Sequence, residues 1–107
     1  MAEVTIVAVG DLMLARSVGH RIVSDGPDAV FDDELRTLLR GADLTLGNLE
    51  CVISEHGEPA AKSYTFRAPP AAAAALASAG FDAVALANNH SLDYGPGAVL
   101  DTIARLA

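Results

Sequence analysis

Apolar residues along the chain alternate between short continuous runs and helical stripes. Val4 to Val9 (VTIVAV) is a β-rich run closed by Gly10-Asp11, and it predicts a buried strand. Leu12 to Val23 reads as a helix with a weak point at Gly19, and Ser24-Asp25-Gly26-Pro27-Asp28 as a turn cluster. Phe31, Leu35, Leu38 and Leu39 recur at i, i+4, i+7 and i+8, the stripe of an amphipathic helix. Asp32, Asp33 and Glu34 fall in its first turn and Gly41 is placed to cap its end. Ala42 to Leu46 predicts a second strand that stops at Gly47-Asn48-Leu49-Glu50. Ser54 to Lys62 reads as an exposed loop and Tyr64-Thr65-Phe66 as a short edge strand. Pro69-Pro70 suits the start of a tightly packed helix over Ala71 to Ala79, closed by Gly80. Asp82 to Ala87 predicts a third strand ending at Asn88-Asn89-His90, and Val99, Leu100, Ile103 and Leu106 mark a last amphipathic helix.

One unit occurs twice. Leu39-Arg40-Gly41-Ala42-Asp43 before the second strand resembles Ser78-Ala79-Gly80-Phe81-Asp82 before the third. Helix, glycine, aspartate and apolar strand in that order predict an α/β fold with parallel strands joined by crossovers. Parallel strands bring their C-terminal ends to one sheet edge, where open α/β sheets bind ligands.

Composition narrows the function classes. The chain has 107 residues, enough for one small domain, and is 51% hydrophobic and 20% charged. A net charge of -7 argues against a nucleic-acid partner, which calls for a basic stripe. It is compatible with a small anionic substrate if a bound metal reverses the local charge. Cys51 is the single cysteine and cannot form an internal disulfide. There is no apolar run of membrane-span length and no leader pattern after Met1, so the chain as written is expected to be cytoplasmic. A longer parent could be membrane-associated or exported.

Polar residues stand at the three strand ends: Asp11; Asn48 and Glu50; Asn88, Asn89 and His90. Carboxylates, amides and an imidazole on one edge suit divalent Mn, Fe or Zn. Such a cluster can hold two ions about 3.5–4 Å apart for displacement at phosphorus. Each residue also has a plainer reading. Asp11 could cap a helix, Asn48 could supply a positive-φ turn, Glu50 could be a solvated carboxylate, and His90 could be structural.

The ordered series Val9-Gly10-Asp11-Leu12-Met13-Leu14, Ala42-Asp43-Leu44 to Asn48-Leu49-Glu50, Phe66-Arg67-Ala68-Pro69, and Gly80-Phe81-Asp82 to Ala87-Asn88-Asn89-His90 resembles the CapA-type family linked to poly-γ-glutamate capsule synthesis. That family belongs to the calcineurin-like metallophosphoesterase superfamily. Asn88-Asn89-His90-Ser91-Leu92-Asp93-Tyr94-Gly95 also resembles the Gly-Asn-His-Glu-Phe-Asp-Tyr-Gly block of bimetallic 5′-nucleotidases. The resemblance implies a metallophosphoesterase-like sandwich of mixed sheets flanked by helices. It implies that Asp11, Asn48, Glu50 and Asn89 are metal ligands of a two-ion site. His90 would be the acid at the leaving oxygen, and the substrate would be a phosphoester or polyglutamate-type molecule. Arg67 matches a recurrent family position and could contact an anionic substrate, or simply form a surface salt bridge.

Two departures bear on this. Met13 stands where the superfamily usually has a histidine, and a thioether is a poor ligand for such ions. The superfamily also draws histidines from a second half, whereas this sequence has only His20, His56 and His90, the first two without motif context. Residues 1–107 are therefore expected to be the N-terminal part of one domain, with one sheet face and edge uncovered. Such a part needs a C-terminal half or a partner. Two functions follow: a metal-dependent hydrolase, or a non-catalytic accessory or scaffold protein that keeps the fold.

Overall fold

A computed structural model describes residues 2–107. The elements in chain order are β1 (Ile6–Leu12), α1 (Arg16–Asp25), α2 (Asp33–Arg40), β2 (Leu44–Leu49), β3 (Val52–Ile53), β4 (Arg67–Ala68), α3 (Ala71–Ala79), β5 (Ala83–Ala85) and α4 (Pro96–Leu106). Strands β1, β2 and β5 form a parallel sheet in that order, and β3 and β4 form a second, two-stranded parallel ladder. The α/β class with parallel strands thus stands.

The repeated glycine–aspartate unit turns out to be a register device. Asp43 precedes β2 and accepts a hydrogen bond from the Thr5 N–H at 2.8 Å, while its own N–H donates to the Thr5 carbonyl at 2.9 Å. Asp82 precedes β5 and does the same to Thr45, at 2.7 Å and 2.8 Å. Each aspartate fixes the incoming strand against the one already in place, at the end of the sheet away from the polar cluster.

The first strand differs from expectation. It runs through Gly10-Asp11 to Leu12, and most of it is exposed rather than buried; Ile6 keeps 58% of its surface. The cause is its place at the edge of a sheet whose outer face no element among the described residues covers. Pairing with β2 is irregular between Ala8 and Asp11, where one extra β1 residue is inserted. Such a bulge re-aims side chains. In regular pairing Gly10 would face Asn48; here Asp11 does.

The core gathers Leu12, Leu14, Ile22, Leu49, Ile53 and Leu76 with the small residues Ala68, Ala72 and Ala75. Helix α3 is the packing helix its alanines predict, with Ala72, Ala75, Leu76 and Ala79 buried. Gly80 sits at φ 104°, and the Gly80 and Phe81 N–H groups bond back to Ala77 and Leu76, closing the helix in a Schellman motif. Asp32 caps α2 by accepting from the Leu35 N–H at 2.8 Å, one residue earlier than a first-turn position.

Other expectations need correction. Helix α1 begins at Arg16, because residues 12–15 complete β1 and cross into the core. Of the α2 stripe only Leu39 is buried, and Leu35 and Leu38 stay exposed. Helix α4 turns Ala98 and Thr102 inward, not Leu100 and Ile103. The Thr102 hydroxyl explains this: it accepts from the buried Ile53 N–H at 3.0 Å, drawing that face onto β3. The short edge strand lies at Arg67–Ala68, just after the expected Tyr64–Phe66, and pairs with the unforeseen β3.

Gly19 is a contact point more than a weak point. A Cβ there would meet the Leu14 carbonyl at 2.8 Å and the Pro69 ring at 3.0 Å. Alanine in place of glycine ordinarily gains about 1 kcal/mol in a helix. Here overpacking of about 1–3 kcal/mol opposes it. Gly19→Ala is expected to lower the thermal midpoint; a higher midpoint in a melt would refute the close approach of α1 to Pro69.

Candidate metal centre

The three polar strand ends meet. The Asn48 side-chain amide donates to Asp11 Oδ1 at 2.8 Å and to Glu50 Oε2 at 2.6 Å. Its own Oδ1 accepts from Asn88 Nδ2 at 3.0 Å, and Asn88 Nδ2 also reaches the Leu49 carbonyl at 2.8 Å. Parallel pairing of β1, β2 and β5 brings these residues side by side, and the β1 bulge puts Asp11 in line.

The plainer readings of two residues fail on this geometry. Asp11 caps nothing: it lies inside β1, and the N-cap of α1 is Ala15. Asn48 lies inside β2, and among the described non-glycine residues only Arg16 has a positive φ. Glu50 is half-buried and tied to Asn48 rather than free in solvent.

His90 follows in the turn after β5. Its N–H donates to Asn88 Oδ1 at 3.0 Å and its ring packs on Phe66, with centroids 4.6 Å apart. Nδ1 lies 2.7 Å from Asp93 Oδ2, which leaves Nε2 as the free ring nitrogen. Asp93 is buried, and it accepts from Lys62 Nζ at 2.7 Å and from the Phe66 N–H at 2.8 Å. Burial alone would push the Asp93 carboxyl up. The hydrogen bonds from Lys62, His90 and Phe66 outweigh it and hold the group below its ordinary value.

Asn89 stands apart from this cluster. It is exposed, its backbone carbonyl accepts from Lys62 Nζ at 2.9 Å, and among the described residues no hydrogen bond joins its side chain to Asp11, Asn48 or Glu50. Its neighbour Asn88 makes the contact instead. Met13 packs against the core. Arg67 is exposed and lies over the Tyr94 ring at 4.3 Å, without the salt bridge considered for it. His20 and His56 are both exposed. Cys51 is buried, which pushes its thiol up to about 11 and leaves it un-ionised at neutral pH.

Asp93, Lys62 and the direct role of Asn88 are absent from the residue set the sequence singles out. The three-residue spacing of His90 and Asp93 within one turn is a signal for the pair. Lys62 has none, since it arrives from a loop 31 residues away.

As a donor set, Asp11, Glu50 and the Asn48 amide oxygen suit one oxygen-liganded divalent ion, the ion taking the place the Asn48 amide nitrogen now holds between two carboxylates. Among the described residues no three His, Cys, Asp or Glu side chains cluster as a complete cage, so further ligands would be water or groups outside this set.

The family model described as bacterial capsule synthesis protein PGA_cap matches residues 5–107. The capsule biosynthesis protein CapA of Bacillus anthracis is 32% identical over 105 residues, covering 94% of this chain and 25% of that protein. The uncharacterized protein y4sH of Sinorhizobium fredii is 38% identical over 98 residues, covering 85% and 20%. The chain therefore spans about a quarter or less of the length of these curated relatives. No helix among the described residues is long and apolar enough to cross a membrane.

Proposed function

Since this chain belongs to the bacterial capsule synthesis protein family PGA_cap, we propose that it carries part of a metal-dependent hydrolase site serving capsule synthesis, acting on a phosphoester or polyglutamate-type substrate. The observation behind this is the convergence of Asp11 and Glu50 on one point between them, the Asn48 amide. Two carboxylates so placed repel each other, and a divalent ion relieves that repulsion better than an amide hydrogen. Asp11, Glu50 and Asn48 would hold the first ion. Asn89, exposed beside His90, would contribute to a second together with groups outside the described residues. Mn, Fe or Zn would supply Lewis acidity toward a phosphoryl oxygen when bound.

The chain's own residues do the rest. The Asp93 carboxylate holds His90 through Nδ1, which fixes the ring and leaves Nε2 to carry a proton to a leaving oxygen. Phe66 on the ring face limits its rotation. Lys62 neutralises the buried Asp93 and ties the preceding loop to the His90 turn.

A second reading is a non-catalytic accessory or scaffold protein. Met13 favours it, because the position where the superfamily usually places a histidine is here filled by a side chain packed into the core.

A thermal melt with and without Mn²⁺ tests the metal site. At ~100 times the dissociation constant, binding should add roughly 2.7 kcal/mol of stability. The shift is expected in the parent protein and absent from an Asp11→Ala/Glu50→Ala variant. A melt indifferent to Mn²⁺, Zn²⁺ and Fe²⁺ would sink the hydrolase reading. Metal-dependent turnover of a phosphodiester then separates enzyme from scaffold.

A further inference from the structure

We propose that Arg16 and Arg67 form an oxyanion-binding cleft beside the His90 turn, accepting a small ligand that bears carboxylate or phosphate groups. The starting point is charge accounting. The chain has 14 acidic and 7 basic residues, so a cation without an acidic partner is the exception. Arg21, Arg36 and Arg105 are ion-paired and Lys62 is bound to Asp93. Arg40 donates to the Ser78 carbonyl. Among the described residues, Arg16 and Arg67 alone of the arginines and lysine have neither a carboxylate nor a hydrogen-bond acceptor. They line the same cleft of about 440 Å³, together with His20, Ser54 and Pro69. Glu55 is the one acidic side chain on its wall, against two guanidiniums and an imidazole.

Both guanidiniums are also oriented. Arg16 lies 4.9 Å from the Phe66 ring centroid and 5.8 Å from that of Tyr64, and Arg67 lies 4.3 Å from that of Tyr94. Cation–π contact holds a guanidinium by its face and leaves its N–H edge for a bidentate acceptor. Arg16 is further set by its backbone. It is the only described non-glycine residue with a positive φ, 55°, a conformation a Cβ disfavours and one that gathers at ligand sites. Phe66 connects the cleft to the candidate centre, packing against His90 as well as lying beneath Arg16.

No residue of the Asp11–Asn48–Glu50 cluster lines this cleft, so oxyanion binding there can be measured without a metal. It is measured by isothermal titration of the full chain in metal-free, low-salt buffer, with pyrophosphate and citrate as separate probes. At least one probe is expected to bind. Arg16→Gly and Arg67→Gln should each weaken it tenfold or more, and Arg67→Lys should weaken it less, since charge persists without the planar fork. Arg16→Gly suits the left-handed φ and should leave the thermal midpoint equal or higher, so its loss of binding cannot be ascribed to unfolding. Tighter pyrophosphate binding assigns the cleft to phosphate groups, and tighter citrate binding to carboxylates. If neither probe binds at millimolar concentration, or if both arginine variants bind as the parent does, the cleft is not an anion site.

Discussion

Asp93→Ala is expected to destabilise the fold by about 1–3 kcal/mol, the cost of leaving part-buried donors without their acceptor. The residue is 1% exposed and its carboxylate collects three donors, from Lys62, His90 and the Phe66 backbone. Its removal strands the part-buried Phe66 N–H and leaves the partly exposed Lys62 ammonium without its carboxylate. It also frees the His90 ring, so the proton transfer proposed for Nε2 should fail together with stability. Asp93→Asn keeps the shape but loses the charge, and should retain part of the stability. The pH dependence has a definite sign. The folded-state Asp93 carboxyl lies below its ordinary value, so its contribution is full above the unfolded value of about 3.9 and is lost as pH falls through the folded one. Denaturant melts at neutral and acid pH check this. Below the carboxylate range the gap between parent and Asp93→Asn should close, and a gap unchanged at pH 2 would overturn the ionised reading of Asp93.

Ile53→Ala is expected to cost about 2–5 kcal/mol, while Ile53→Val should cost about 0.5–1.5 kcal/mol. Ile53 is fully buried in the core cluster, on a strand of two residues that carries α4. Thr102 reaches its N–H from α4, so a cavity at Ile53 loosens the same contact that aims Ala98 and Thr102 inward. Chemical denaturation checks the order of the two variants. A loss below 1 kcal/mol for Ile53→Ala would mean that β3 is peripheral.

The two tests fall on the parts of the molecule least legible in the sequence. Strands β2 and β5 and helix α3 could be read because their signals are local: an apolar run, an aspartate, a glycine cap. That the polar residues after β1, β2 and β5 share one sheet edge followed from parallel topology, which brings the C-terminal ends of the strands to the same side. Strand β3 could not be read, because two residues carry no period and its partner β4 lies more than a dozen residues downstream. The inward face of α4 was misjudged because a threonine hydrogen bond outweighed the larger apolar side chains. The β1 bulge left no mark except Gly10, yet it decides that Asp11 and not its neighbour faces Asn48. Choosing between Asn88 and Asn89 needed the turn geometry, because adjacent residues after a strand point in different directions.

The aspartate staples at Asp43 and Asp82 set a timetable as well as a register. Each ties its strand to a threonine 38 or 37 positions earlier in the chain, and the sheet order β1-β2-β5 is the order of the chain. A chain emerging from the ribosome can therefore dock each new strand of this sheet on one already made. Asp11 and Asn48 can meet before Asn88 exists, and the 40 residues between Asn48 and Asn88 take on the order of seconds to translate at ~5–20 residues per second. The two carboxylates come to the ledge first, and the histidine that would work beside them is delivered last.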